Sequence, residues 1–399
     1  MMRTLTRAQW WLPLLAFMGP LHAQKPVLSL ADSSLNIYLG GKLRTTMLLS
    51  SKRPFPTSGT AFFLLPQDAT GEESSFDLNA RNSSIYLKMD GPRIGDFRLG
   101  AMVFVYFTAS VTSETYGILP SLLYADLKND RWRFAVGQQM DVFAERVPEM
   151  VDGFFALAAS GCAGNSSRGE LRAERFIPVG KGRLTLTAAL AEPITSYISP
   201  SFKNNTADNG LPNLEAALRY HSGSNHGSLL PYDGIELGVS AVTGRYRVFH
   251  NDVNGVNIRV NKPHVWGIAA EYAFHISDHI GIQGEAYAGQ ALGNYCGTIL
   301  QTTKGEFDRE IRSRGFWIEG AVVWRKGLQS RIGYGQDRNN PDDLGSAGLQ
   351  MNRTAFVNLI WDLNRAFQVS VEPTWRKTTY LGLKSNRGPG VMFAVQYRF

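Results

Sequence analysis

Ten arginines alternate with apolar residues along the chain, and they are the residues best suited to bind a ligand. A guanidinium group presents a rigid fork of donors that matches carboxylate and phosphate oxygens. These arginines are Arg44, Arg81, Arg98, Arg131, Arg133, Arg172, Arg183, Arg219, Arg331 and Arg376. Acids of the same alternation are Glu170, Glu174, Glu215, Glu236, Glu271, Glu285, Glu319 and Glu372. Two interpretations stay open for each arginine: a contact for anions, or one member of a charge network that keeps the fold rigid.

A second group of charges is concentrated in one long connection, residues 141–166. It contains Asp141, Glu145, Glu149 and Asp152, followed by small residues from Ala156 to Gly164. Such a segment can fold inward and set its acids against the arginines, which would create a transverse electric field at a constriction. The alternative is an outward-facing cap.

Catalytic and metal-binding chemistry finds little support in the sequence. No Ser-His-acid set, HExxH, Walker loop or CxxC motif occurs. His275, Asp278 and His279 resemble a metal pair, but they fall in a short turn, where a solvated role is the simpler interpretation. Cys162 and Cys296 lie in two long connections; a disulfide between them is permitted, and the sequence alone does not decide it. We therefore expect neither a cofactor nor a metal.

The elements that must position these residues are β-strands. Apolar side chains recur at every second residue, most clearly at Val391, Phe393, Val395, Tyr397 and Phe399, and a strand places alternate side chains on opposite faces. Sixteen strands are predicted, at 35–49, 75–90, 95–109, 117–128, 131–140, 167–177, 182–192, 213–221, 234–246, 262–274, 279–292, 313–325, 327–336, 353–363, 366–380 and 389–399. In the second, the apolar parity changes, which predicts a bulge near Ser83.

The connections alternate between short turns and long loops, except for a long connection at 222–232. This asymmetry, with many strands of 10–15 residues, is typical of outer-membrane barrels, whose periplasmic turns are short and extracellular loops long. We therefore predict an all-β fold, a transmembrane antiparallel β-barrel of sixteen strands. Its closed sheet has no unpaired edge in the lipid. The arginines and acids would then face a water-filled lumen.

Composition agrees with this class. Of 399 residues, 44% are hydrophobic and only 19% charged, and the two cysteines exclude a disulfide scaffold. Arg3 and Arg7 precede an apolar run, which predicts a cleaved signal peptide at 1–24 and a single barrel domain at 25–399. Removing those two from 41 basic residues leaves 39 against 34 acids, a net charge of about +5. Such a mild excess suits anionic solutes or lipid head groups and does not by itself indicate nucleic-acid binding.

Several segments resemble the DcaP-like family of trimeric outer-membrane porins. They are Phe76 to Ser83 followed by Gly95-Asp96-Phe97, Gly137 to Gln139 leading to Pro148 to Asp152, and Arg172 to Phe176 leading to Leu190 to Pro193. The likeness covers residues 35–195. It implies a homotrimer that passes small organic anions such as dicarboxylates. The N-terminal coiled coil of some members has no counterpart here. The terminal Phe399 resembles the signal read by the barrel-assembly machinery of bacteria.

The sequence thus predicts a porin in the bacterial outer membrane for small hydrophilic solutes, with organic anions preferred. Outer-membrane lipid, the assembly machinery and anionic solutes are its expected partners. Two rivals stay open: a structural or adhesive barrel with a plugged lumen, and a lipase-type enzyme, which would need a lipid-facing nucleophile beside a histidine.

Overall fold

A computed structural model describes residues 28–29, 35–56, 60–67, 70–151, 156–195, 206–223, 234–251, 257–304 and 309–399. They form a closed barrel of sixteen antiparallel strands. The strands are β1 Asn36–Ser50, β2 Ser75–Asn79 continued by Ser84–Ile94, β3 Phe97–Tyr106, β4 Leu119–Lys128, β5 Trp132–Met140, β6 Ser167–Val179, β7 Gly182–Ala191, β8 Asn213–Ser222, β9 Ile235–Arg245, β10 His264–Ser277, β11 Ile280–Gln290, β12 Arg312–Arg325, β13 Leu328–Asn339, β14 Leu349–Asp362, β15 Phe367–Tyr380 and β16 Asn386–Arg398.

The sixteen predicted strands are confirmed, and most of their ends agree to within one or two residues. The alternation of apolar side chains decides which face of each strand meets lipid. Leu43 on β1 is 57% exposed, whereas Thr46 on the opposite face is 1% exposed. Since the exposed residues of a strand are the apolar ones, the outer surface is suited to hydrocarbon.

The barrel closes where the first and last strands meet. Thr45 of β1 lies opposite Val395 of β16, and β1 also pairs with β2 on its other side. The terminal Phe399 continues the seam, because its N–H donates to the Gly41 carbonyl and its carbonyl accepts from the Gly41 N–H, both at 3.1 Å. A side chain at Gly41 would collide with this seam, since a Cβ there would lie 2.5 Å from the Ser84 carbonyl oxygen.

Strand β2 is interrupted at residues 80–83, where the sequence predicted a bulge. Phe76 and Leu78 face outward before the break, and Leu87 does so after it, so the outward parity changes from even to odd. The Arg44 N–H of β1 donates to Ser83 Oγ at 2.9 Å across the gap. This side-chain bond takes the place of a ladder bond.

Long connections gather at one end of the barrel, and the described residues of three of them, 51–74, 141–166 and 291–311, lie in the lumen there. Phe62, Phe143 and Leu292, one from each, are at most 2% exposed. Two others contribute a small sheet made of Thr206–Ala207, Arg247–Asn251 and Asn257–Asn261. Within the described residues, no helix is long and apolar enough to cross a membrane.

Candidate functional site: a lumen narrowed by the 141–166 loop

The 141–166 loop follows β5 and lies against the inner wall of the barrel. Val142, Phe143 and Ala163 are 0% exposed, so the loop is not an outward cap. The approach to the wall is close at Gly161, where a Cβ would come within 1.9 Å of the Phe316 carbonyl oxygen. Gly161 also has a φ of +79°, a conformation that favours glycine. The small residues of this segment therefore allow the loop to rest on the strands.

Carboxylates of the wall hold the loop by its backbone. Six inward-facing acids on six strands each accept at least one main-chain N–H of the loop. The bonds are Val142 and Phe143 to Glu215 (2.6 and 3.2 Å), Arg146 to Glu271 (3.1 Å), Glu149 to Glu319 (2.7 Å), Val151 to Glu372 (2.6 Å), Gly161 to Asp337 (2.7 Å) and Ala163 to Glu285 (3.3 Å). These bonds place the loop across the lumen over a large arc of the wall.

The acids of the loop are paired with arginines at contact distance. Asp141 binds Arg168 of β6. Glu145 lies 3.0 Å from Arg219 of β8, and Glu149 binds Arg331 of β13. The acids of the loop are therefore in contact with the arginines and are not separated from them by open space. Pairs at contact distance do not produce the expected transverse field across the lumen. Asp152 lies outside the described residues.

Eight of the ten predicted arginines share a face of the sheet but lie at different heights along the barrel; Arg81 lies in the interruption of β2 and Arg131 in the turn before β5. Three of them touch the loop: Arg219, Arg331, and Arg44, whose guanidinium donates to the Val151 carbonyl at 2.7 Å. Arg172 donates to the carbonyl of Met140, at the point where β5 ends. The alternation along each strand predicts that these side chains point inward. It does not predict their position along the barrel axis, which depends on the register of the strands.

The remaining arginines lie away from the loop's centre. Arg133 is 2.6 Å from Asp126 and 2.8 Å from Glu174. Arg81 lies in the interruption of β2, where it pairs with Asp77 (3.2 Å) and donates to the Glu114 carbonyl. Arg98, Arg131 and Arg183 lie beside the short turns, and Arg376 of β15 donates to Thr374 Oγ1 at 2.8 Å. The predicted set is therefore distributed over the whole wall and forms no single ring.

Two arginines that the sequence analysis did not single out have larger roles in holding the loop. Arg146, in the loop itself, binds Glu236 and donates to Gln283 at 2.8 Å. Arg168 lies 3.8 Å from the Tyr295 ring centroid and donates to the Asn294 carbonyl at 2.7 Å, which joins the 141–166 loop to the 291–311 loop. Arg146 could have been identified from the sequence, because it is an arginine within a loop whose other charged residues are acids.

Three carboxylates, Asp141, Glu170 and Glu215, have oxygens within 4.8 Å of one another, as a metal site requires. Two guanidinium groups already lie among them, because Arg168 contacts Asp141 and lies 3.9 Å from Glu215, and Arg172 is 2.7 Å from Glu170. The cluster is thus a charge network rather than a metal-binding cage. Burial raises the pKa of Asp141, and Arg168 opposes that rise.

The two cysteines are free and buried, so the disulfide that the sequence allowed is not formed. Burial raises the pKa of the Cys296 thiol to about 12 and that of Cys162 well above its usual range. Cys296 Sγ instead lies 3.1 Å from Ser166 Oγ. Both side chains therefore act as packing groups.

On the short-turn side of the loop, several basic groups stay partly open to the lumen. Lys42, Lys88, Lys128 and Arg183 lie on inward-facing positions and are half-buried. The acids that hold the loop backbone differ in this respect. Glu215, Glu271, Glu285, Glu319 and Glu372 are at most 4% exposed. Half-buried acids lie here too, namely Asp90 and Glu174, and Glu149 of the loop is exposed, so the basic groups are only in slight excess.

Comparison with known proteins adds the fold's relatives. Neither protein-family models nor curated protein sequences gave a match. Among solved structures, the outer membrane channel DcaP of Acinetobacter baumannii aligns with a TM-score of 0.69 at 16% identity, over 93% of this chain and 99% of that one. An anion-selective porin from Comamonas acidovorans gives 0.58 at 8% identity, over 92% and 100%. A trimer form of OmpT from Vibrio cholerae gives 0.53 at 10% identity, over 92% and 100%.

The predicted likeness to DcaP is thus confirmed at the level of the fold. The chain has the sixteen-stranded barrel of bacterial outer-membrane porins and carries, within that barrel, a long loop fastened to the inner wall.

Proposed function

We propose that this chain is a passive-diffusion porin of the bacterial outer membrane that passes small hydrophilic solutes and prefers small organic anions such as carboxylates. The observation that carries the anion preference is the division of charge in the lumen. Most wall acids are buried in bonds to the loop, whereas the half-buried charges on the short-turn side include more basic groups, such as Lys128 and Arg183, than acids, such as Asp90 and Glu174. The anion-selective porin among the fold's relatives agrees with this proposal.

The mechanism needs no covalent chemistry and no cofactor. The barrel replaces hydrocarbon by water along the path of the solute, and the 141–166 loop limits its size. Positive groups beside the path lower the electrostatic barrier for anions and raise it for cations. Because these groups are partly hydrated, the effect on each ion is modest, and a selectivity ratio of a few-fold is expected rather than exclusion.

Ion conduction in planar bilayers tests the proposal. The purified barrel should form open channels, and in a KCl gradient the reversal potential should have the sign of an anion-selective pore. Cation selectivity would refute the anion preference. A folded barrel that inserts but conducts no ions would refute the porin function.

A structural barrel with a plugged lumen is the second candidate, and one observation favours it. An apolar cluster joins the 51–74 loop to the 291–311 loop and to the wall, through Phe62, Ile299 and Tyr106 among others. If this cluster closes the lumen, the single-channel conductance will be near zero in the wild type. It should then appear when residues 60–65 are deleted.

The proposal includes the processing and assembly of the chain. We expect cleavage of residues 1–24, a mature barrel of residues 25–399, recognition of Phe399 by the barrel-assembly machinery, and association into homotrimers. N-terminal sequencing of the outer-membrane form tests the first two. Chemical cross-linking in native membranes tests the last: a ladder that ends at the monomer would contradict the trimer.

A further inference from the structure

The outer face of the barrel carries three basic residues in one row, where β14, β15 and β16 approach the loop end. Arg353 of β14 lies opposite Lys377 of β15, and Lys377 lies opposite Arg387 of β16. Neighbouring strands are about 4.8 Å apart, so the three cations occupy about 10 Å of the outer surface. We call these three residues the basic row. Arg387 is exposed, and the other two are half-buried.

The basic row belongs to the lipid-facing side of the sheet. On β14, Arg353 shares its face with Val357 and Leu359, which are 47% and 42% exposed. On the next two strands, the residues that share the face of the row include Trp375 and Phe393, both exposed. Since a strand places every second side chain on one face, the row points away from the lumen and is separate from the channel.

The position of the row along the barrel is that of lipid head groups. On β15 the outward residues begin with Phe367 at the short-turn end, continue with Val369, Val371 and Trp375, and reach Lys377. Ten residues of strand span roughly 34 Å, which at a tilt of about 35–45° gives a height of roughly 24–28 Å. The apolar band of outer-membrane barrels is about 25 Å tall and is flanked by aromatic girdles. Lys377 therefore lies just beyond the hydrocarbon, on the side of the long loops.

Two more arginines extend the basic surface across β12 and β13. Arg314 lies opposite Arg338, and both are exposed. They are one layer nearer the loops than the basic row, because Gln336, two residues before Arg338, is the residue opposite Arg353. Gln336 Oε1 accepts a bond from Arg353 Nε at 2.8 Å, which holds that guanidinium group on the outer face.

No acid neutralises these five cations within the part of the chain that the structure describes. None of the five has a carboxylate oxygen within 4.0 Å there, and the outward positions of β12 to β16 at this level contain neither Asp nor Glu. Arg312 differs, since Asp343 lies 2.6 Å from it. The feature is also local, because the outward residues at the loop end of β7 and β8 are Leu190 and Leu214. Cations grouped in this way repel one another, so an anion from outside the chain would stabilise them.

We propose that the basic row, together with Arg314 and Arg338, binds the phosphate groups of the glycolipid that forms the outer leaflet of the bacterial outer membrane. A guanidinium fork matches two phosphate oxygens, and Lys377 adds a compact positive charge. The acyl chains of the same lipid lie along the apolar outward residues below, such as Ile332 and Val391. The surface lies on the outside of the barrel, so this inference goes beyond the proposed porin function.

The test measures how tightly the detergent-solubilised barrel binds lipid A, the phosphorylated anchor of that glycolipid, by native mass spectrometry. The wild type should bind lipid A that carries both phosphates more tightly than lipid A from which both have been removed. Arg353→Gln/Lys377→Gln/Arg387→Gln removes the charge of the basic row. It should weaken binding of the phosphorylated form roughly a hundredfold, which corresponds to about 3 kcal/mol, or about 1 kcal/mol for each basic residue at a lipid surface.

A matched control removes three cations from the opposite end of the same wall. Arg325→Gln/Lys326→Gln/Arg365→Gln also replaces two arginines and one lysine, all exposed, at the short turns that join β12 to β13 and β14 to β15. This control should bind lipid A as the wild type does. Arg353→Lys/Arg387→Lys keeps the charge of the row but loses two forks, so it should weaken binding less than the triple glutamine variant. Heat-dependent mobility in detergent gels verifies that each barrel is folded.

Equal binding of phosphorylated and dephosphorylated lipid A by the wild type would overturn the inference. Unchanged binding in the folded triple variant, or an equal loss in the control variant, would overturn it as well. A second copy of this chain is the rival occupant of the surface. If the triple variant changes the oligomeric state in lipid-free detergent and leaves lipid A binding unchanged, the surface is a contact between copies and the inference is refuted. None of these measurements needs ion conduction, so bilayer currents decide the proposed function separately.

Discussion

The bonds between wall carboxylates and the loop backbone can be removed without touching the loop itself. Glu319 accepts the Glu149 N–H at 2.7 Å, and Glu372 accepts the Val151 N–H at 2.6 Å. The double variant Glu319→Ala/Glu372→Ala deletes both acceptors. The isosteric variant Glu319→Gln/Glu372→Gln loses the same two charges but keeps an amide oxygen that can accept each N–H.

The expected size of the effect follows from these two bonds. A hydrogen bond to a charged group contributes about 1.5–3 kcal/mol, so two contribute about 3–6 kcal/mol. That range shifts the ratio of fastened to released loop by about 10²- to 10⁴-fold. Glu215 and Glu271 before the segment, and Asp337 and Glu285 after it, still hold the loop. The middle of the loop is therefore freed while its two ends stay in place.

Single-channel recording measures this release. The double alanine variant should show higher mean conductance and larger current fluctuations than the wild type, whereas the double glutamine variant should stay close to wild-type conductance. Because both variants lose the same charges, a difference between them comes from the acceptors. If the folded alanine variant has the conductance and noise of the wild type, the wall carboxylates do not hold the constriction, and the reasoning is refuted.

Four further outcomes are expected. Deletion of residues 152–164 should raise conductance, because it removes part of the loop from the lumen; unchanged bilayer currents would show that the segment does not narrow the path. Cys162 and Cys296 should resist maleimide at pH 8 in the folded barrel, since burial raises their pKa values, and should react after unfolding; mass spectrometry counts the adducts, and rapid labelling of folded protein would contradict their burial. Burial raises the pKa of Asp343, but the hydrogen bonds from Arg312 outweigh it and lower the pKa. The stabilisation is therefore present above the unfolded pKa of about 4 and is lost as the pH falls through the lower folded value. The hydrogen-exchange protection factors of residues 340–348, which allow for the slower intrinsic exchange in acid, should therefore fall in acid for the wild type and not for Asp343→Asn. Removal of Phe399 should reduce the amount of barrel recovered in outer-membrane fractions, because its bonds to Gly41 at 3.1 Å close the seam; full recovery would show that the seam forms without it.

The fold was predictable because each strand is under one strong constraint. A lipid-facing side chain must be apolar at every second residue, so the sequence repeats the same signal sixteen times. Even the interruption of β2 left a signal, since Leu78 and Leu87 face lipid from positions of opposite parity. The least accurate boundaries were the start of β14, at Leu349, and the end of β2, at Ile94, each four residues beyond the predicted one, where strands extend past the part of the pattern that lipid determines.

The arrangement of the site was less predictable, because alternation specifies direction and not height. Arg98 and Arg331 have the same inward orientation, yet one is exposed beside a short turn and the other is buried against the loop. Lys42 is two residues from Arg44 on the same face, so the alternation that identified Arg44 also identifies Lys42. The prediction considered only guanidinium groups and therefore did not include Lys42.

The role of the wall acids explains why counting charges gives a poor picture of the lumen. Glu285 and Asp337 point inward, and a sequence-based sum counts each as a negative charge facing the solute. In the structure their oxygens accept the N–H groups of Ala163 and Gly161, and both side chains are buried behind the loop. Such carboxylates determine the width of the channel, because they hold the loop, and contribute little to the electric field in the lumen. The field that a solute meets depends on the charges that remain exposed to the lumen. The same logic predicts that neutralising a paired arginine such as Arg219 favours cations, because it uncovers Glu145 and Glu271.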